Sequence, residues 1–215
     1  MARSLAGTDV SLGSLSARVR PTSQPHQQLL PLLPALEALL PGGGLPRGSV
    51  VEVEAAGGGA TTLAFSLLAA PTGAGSWCAA VGVADVGVVA LAEMGVDLDH
   101  LALVPRPGAK WGEAVALLLD GMDAVLVCPP GAVRPALARR LAARARERRV
   151  ALVVLSRQGR WPESAELRLT VGAARWVGPG RGDGHLRGRL VELVVGGRRA
   201  ASRPVRAELW LPEPA

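Results

Sequence analysis

From residue 45 to residue 157, short and mostly uncharged apolar runs alternate with segments whose apolar residues recur every three or four positions. The runs "SVVEVE" (49–54), "SWCAAVGV" (76–83), "LALVPRPG" (101–108), "DAVLVCPP" (123–130) and "VALVVLS" (150–156) predict strands. Between them lie predicted helices: "TTLAFSLLAA" (61–70), with Leu63, Leu67 and Leu68 on one face, and "DVGVVALAEMG" (85–95), stopped by Gly95. "KWGEAVALLLDG" (110–121) and "VRPALARRLAARARERR" (133–149) complete the set. Strands with few charges, separated by helices, belong to a parallel sheet covered on both faces. After Arg157 the period shortens to two: "AELRLTVGAARW" (165–176), "RLVELVVGG" (189–197) and "RPVRAELWLP" (203–212) predict antiparallel strands, with Gly196-Gly197 at a hairpin turn. The expected fold class is α/β: a mainly parallel sheet flanked by helices, with C-terminal antiparallel strands.

The first 24 residues have no periodicity and predict a loose tail, leaving residues 25–212 as one domain. A leucine-rich helix is expected at about 34–41, with Pro34 in its first turn and Gly42 to Gly44 ending it. It carries more leucine than so short a helix can bury alone. Those leucines either pack on the chain's own sheet or serve as a contact for a second copy or another protein.

Apolar residues make up 49% of the chain, enough for a globular core and against disorder. Arginine outnumbers lysine 23 to 1, as expected of a high-GC genome, so a single arginine carries little information. Charge is unevenly spread: residues 1–133 hold 6 basic and 11 acidic side chains, residues 134–215 hold 18 and 7. A basic half suits nucleic acid or an acidic partner, and equally a solvated arginine face. Residues 55–84 carry no charge, but six glycines and Pro71 divide the stretch into pieces too short for a membrane helix. The N-terminus lacks a signal-type apolar core, so a cytoplasmic protein without membrane attachment is expected. Cys78 and Cys128 sit in apolar runs without metal-ligand spacing, and His26, His100 and His185 share no motif.

Candidate chemistry concentrates in "GSVVEVEAAGGGATTLAFS" (48–66), where a strand runs into glycines that open a helix. That is the layout of a phosphate-binding loop, GxxxxGK[ST], in which backbone N–H groups cup phosphates, a lysine neutralises them and a hydroxyl holds magnesium. With Thr61 and Thr62 at the hydroxyl end, Gly59 keeps its place, Ala60 falls at the lysine and Glu54 at the opening glycine. A carboxylate facing a polyphosphate without a compensating ammonium costs several kcal/mol in a dry site. The strand that should end in a magnesium-binding aspartate ends in Cys128-Pro129-Pro130. No catalytic residue, cofactor or metal site is therefore expected. A weak anion site formed by Gly57, Gly58, Gly59 and the helix N-terminus survives these losses.

Two surfaces remain. On the helix 133–149, Leu137, Leu141 and Ala145 form the buried seam, while Arg140, Arg144 and Arg148 form a stripe suited to solvent, an acidic partner or a phosphate backbone. In "SRQGRWPES" (156–164), Arg157, Arg160 and Trp161 form an arginine-plus-aromatic group able to stack on single-stranded bases, unless Trp161 caps the core. Arg175-Trp176 extends the same idea weakly.

Three segments in order, "PGGGLPRGSVVEVEAAGGGATTLAF" (41–65), "EMGVDLDHLALVPRPGAKWGEAVALLLDGMDAVLV" (93–127) and "LRGRLVELVVGGRRAASRPVRAELWL" (186–211), resemble the RecA recombinase core. The departures from RecA are a phosphate loop one residue shorter, Ala60 for its lysine and Cys128 for its aspartate, with Asp85 near its catalytic glutamate. Its mobile DNA-binding loop is cut to "SRQGRWPESAE" (156–166), and its separate C-terminal domain has no counterpart. The very short loops, "LLPGGGLPRGS" (39–49) and the ending "LWLP" (209–212) are more similar to ImuA-type proteins of the actinobacterial variant, RecA-like proteins without a competent ATP site. That resemblance implies an accessory, non-enzymatic role in the DNA-damage (SOS) response. Its setting would be a mutasome for translesion synthesis, with an ImuB-like inactive Y-family polymerase homologue and an error-prone C-family polymerase. Alternative functions are a single-stranded-DNA-binding module using Arg157, Arg160, Trp161 and the basic helix, or a divergent ATPase drawing its cation from elsewhere.

Overall fold

The computed structural model describes residues 29–56, 58–157, 159–178, 188–198 and 201–211. The predicted tail, 1–24, lies outside them, as do Gly57, His26 and His185. The chain enters through a two-stranded antiparallel pair, β1 (Leu29–Leu30) with β2 (Leu45–Pro46), which brackets helix α1 (Pro34–Glu37). There follow β3 (Val50–Ala55), α2 (Ala60–Gly73), β4 (Cys78–Val81), α3 (Val88–Glu93), β5 (Leu101–Val104), α4 (Trp111–Leu118) and β6 (Ala124–Val127). The chain continues through α5 (Pro135–Arg148), β7 (Ala151–Ser156), β8 (Leu167–Val177), β9 (Gly188–Gly197) and β10 (Val205–Trp210).

Eight strands form one sheet in the order β10-β9-β8-β3-β7-β6-β4-β5. From β8 across to β5 every pairing is parallel, and β8-β9 and β9-β10 are antiparallel. This is the expected α/β class. Alternation sorts side chains to the two faces. Val51, Val53, Ala80, Leu126, Val153, Leu155 and Leu169 pack under α1, α2 and α3, while Val125, Val127, Leu152 and Val154 pack under α4 and α5. Leu63, Leu67 and Leu68 of α2 are fully buried, each contributing about 1.5–3 kcal/mol relative to exposure.

Boundaries shift for physical reasons. α2 runs three residues beyond the expected end because Pro71 falls in the last turn, where Thr72 Oγ1 donates to the carbonyls of Leu68 and Ala69. α1 is a single turn; Leu32, Leu36 and Leu40 go into the chain's own core, and Leu33 and Leu39 are partly buried against it. Gly196-Gly197 is not a two-residue turn: Val195 pairs with Val205, so both glycines lie at the end of β9 and a longer connection leads to β10.

Both cysteines are buried. Burial, reinforced by nearby Asp123, pushes the Cys78 thiol from 9.0 up to about 12, and burial raises Cys128 as well. Among the described residues no helix is long and apolar enough to cross a membrane.

Candidate functional site

The C-terminal ends of the parallel strands are where ligands bind in α/β sheets, and the glycine-rich loop opens there between β3 and α2. Gly59 stands just before the helix with φ +116° and gives no side-chain cap. The first helical hydrogen bond runs from Leu63 N–H to the Gly59 carbonyl, so the N–H groups of Ala60, Thr61 and Thr62 have no acceptor among the described residues. No acidic side chain occupies the first turn. Ala60, at the position of a phosphate-loop lysine, is 4% exposed and points its methyl group into the apolar core.

Two guanidinium groups converge on the helix start. Arg157, just after β7, donates from Nη2 to Thr61 Oγ1 at 2.6 Å, and Arg189, at the start of β9, donates from Nη2 to Thr62 Oγ1 at 3.1 Å. Arg189 is 9% exposed, and its guanidinium lies over the ring of cross-strand Trp176, 4.7 Å from the centroid. On its other side are the glycines: a Cβ on Gly59 would stand 2.9 Å from Arg189 Nη2, and one on Gly58 3.5 Å from Nη1. Its Nε is buried without a hydrogen-bond partner among the described residues, and burial holds its pKa below the ordinary arginine value. Arg189 carries no motif. Its signal is positional, since residues 189, 191, 193 and 195 share the inward face of β9 and only the first is charged.

A cavity of about 300 Å³ begins at Thr61 and Thr62 and is walled by Phe65, Asp85, Leu91, Glu93 and Met94. Asp85 stands in this wall as an exposed carboxylate.

Glu54 departs from expectation. It is not an uncompensated carboxylate facing the loop, because the strand places it on the α5 side of the sheet beside Glu52. Glu54 meets Arg168 Nε at 3.0 Å and Arg160 Nε at 3.4 Å, and accepts from Thr170 Oγ1 at 3.1 Å. Glu52, wholly buried, accepts from Ser156 Oγ (2.8 Å), Trp161 N–H (2.7 Å), and Arg168 Nε and Nη2 (3.1 and 3.0 Å). The register explains the cluster: Glu52 lies opposite Arg168 and Glu54 opposite Thr170 on β8. Cys128 follows β6 as a buried, neutral thiol, a poor oxygen-donor substitute for a magnesium carboxylate.

The surface candidates separate. Arg144 and Arg148 both clamp Asp120, with Nε–Oδ1 distances of 2.9 and 3.1 Å, and hold its carboxyl below the usual range. Arg140 is exposed and makes no ion pair among the described residues. Arg160 is exposed beside Glu54. Trp161 is 3% exposed and packed in the α4/α5 core, so it caps the core and is withdrawn as a base-stacking contact. Trp176 is half exposed but engaged by Arg189.

The family model of the MT3502 N-terminal domain matches residues 38–163, more than half of the chain. The chain is also similar to the uncharacterized protein Rv3395c of Mycobacterium tuberculosis, 42% identical over 119 residues that cover 54% of this chain and 56% of that protein. It therefore spans little more than half the length of this relative.

Proposed function

This chain belongs to the MT3502 N-terminal domain family, and we propose that it works as a non-catalytic, RecA-like adaptor in DNA-damage-induced translesion synthesis. In this role it holds an ImuB-like inactive Y-family polymerase homologue that acts with an error-prone C-family polymerase. The partners come from the resemblance of residues 41–65, 93–127 and 186–211 to RecA and ImuA-type chains. The observation that carries the non-catalytic half is Ala60: its methyl group is sealed into the core where a nucleotide-handling loop presents an ammonium to phosphate. With a buried thiol at Cys128 in place of a carboxylate, no described side chain at the ends of β3 and β6 supplies the usual magnesium-triphosphate shell. Conserving the scaffold while losing that chemistry leaves its surfaces to act.

A DNA-binding module is less well supported than an adaptor, because Trp161 is buried and two of the three stripe arginines are tied to Asp120. The test is co-elution of the full chain with a purified ImuB-like partner at micromolar concentration, without nucleotide. A stable complex is the expected outcome, and separate elution of the two proteins counts against the proposal.

A further inference from the structure

Donors crowd the start of α2. Three backbone N–H groups there have no acceptor among the described residues, and the positive end of a fourteen-residue helix points the same way. The two threonine hydroxyls already accept from arginines, so each keeps a hydrogen to give. Arg189 is the decisive group. A largely buried arginine whose Nη2 reaches only the Thr62 hydroxyl, with no carboxylate partner among the described residues and a buried, unsatisfied Nε, is costly to maintain beside a second guanidinium and a positive helix end. The backbone comes close as well, since any side chain on Gly59 would collide with Arg189.

We propose that Arg157, Arg189, Thr61, Thr62 and the first N–H groups of α2 bind one phosphate-type oxyanion directly, with no metal ion. One phosphate group, dianionic as the free ion or monoanionic as a diester, offsets guanidinium and helix-end charge and supplies acceptors to these donors. The site takes one phosphate group and not a polyphosphate. The cavity leading away from Thr61 and Thr62 is walled by Asp85 and Glu93, which repel a second and third phosphate. Arginines brought in from β7 and β9 thus take over charge that a loop lysine would supply, and they do so for a smaller ligand. The site is independent of the adaptor role and stands or falls separately.

Isothermal titration of the full chain with sodium phosphate, against sodium chloride at matched ionic strength, tests this. Saturable binding is expected with phosphate and none with chloride. Arg157→Gln, at an exposed position, should keep the wild-type melting temperature in chloride and bind phosphate about tenfold more weakly. Arg189→Lys should weaken it too, because an ammonium cannot reproduce the planar fork over Trp176. ATP should bind no more tightly than phosphate, with or without magnesium. Absence of saturable phosphate binding, unchanged affinity in Arg157→Gln, or magnesium-dependent tightening by ATP overturns the site. Competition between phosphate and a short single-stranded oligonucleotide, lost in Arg157→Gln, identifies a DNA backbone phosphate as the source. Phosphate binding without competition identifies the free anion, and either result upholds the site.

Discussion

Glu52→Gln is expected to lower unfolding stability by about 3–5 kcal/mol, read as a reduced urea midpoint at unchanged slope. The carboxylate has no exposure and receives four hydrogen bonds, from Ser156, the Trp161 backbone and two nitrogens of Arg168. The amide keeps the volume but turns at least one donor against another and leaves Arg168 short of charge at its buried end. Glu54, 3.0 Å from Arg168 Nε, retains part of the pairing, which sets the upper bound. A Glu52→Gln, Arg168→Met double variant should be less unstable than the sum of the two single variants, because the cation no longer lacks its partner. Additive losses would show that Arg168 and Glu52 are not coupled.

Gly82→Ala should cost about 3 kcal/mol or more, the combined effect of left-handed backbone strain and overpacking. Gly82 follows β4 at φ +81°, and its N–H donates to the Val104 carbonyl at 2.9 Å. An added Cβ would lie 2.2 Å from the Cys128 carbonyl oxygen, and that backbone is anchored by Cys128 N–H to the Val81 carbonyl at 2.8 Å. Neither neighbour can move without opening the strand ends beside the candidate site. Thermal unfolding checks this, and a variant melting at the wild-type temperature would refute the close approach.

How far the chain reveals its fold depends on the range of the interaction. The apolar runs at 78–81, 124–127 and 151–155 announce buried parallel strands because both faces of the sheet are covered, which needs no knowledge of partners. Glu54 was misleading for the opposite reason. Its environment is set by register with β8, a strand 116 residues away in the case of Thr170, and no local pattern encodes that pairing. Trp161 has two equally local interpretations, and what decides between them is its burial in the α4/α5 core, beside a backbone N–H held by Glu52 at a separation of 109 residues. Arg189 was within reach of a period-two argument, as the one charge on an inward face, but its place over Gly59 required the β8–β9 register and the bulge between Val171 and Ala174.

Steady-state ATP hydrolysis by the purified chain, with magnesium and with the proposed ImuB-like partner present and absent, tests most directly whether this scaffold lacks nucleotide chemistry. The account predicts phosphate release at the buffer rate in every condition, unaltered by Thr61→Ala. Magnesium-dependent turnover that Thr61→Ala abolishes would contradict it.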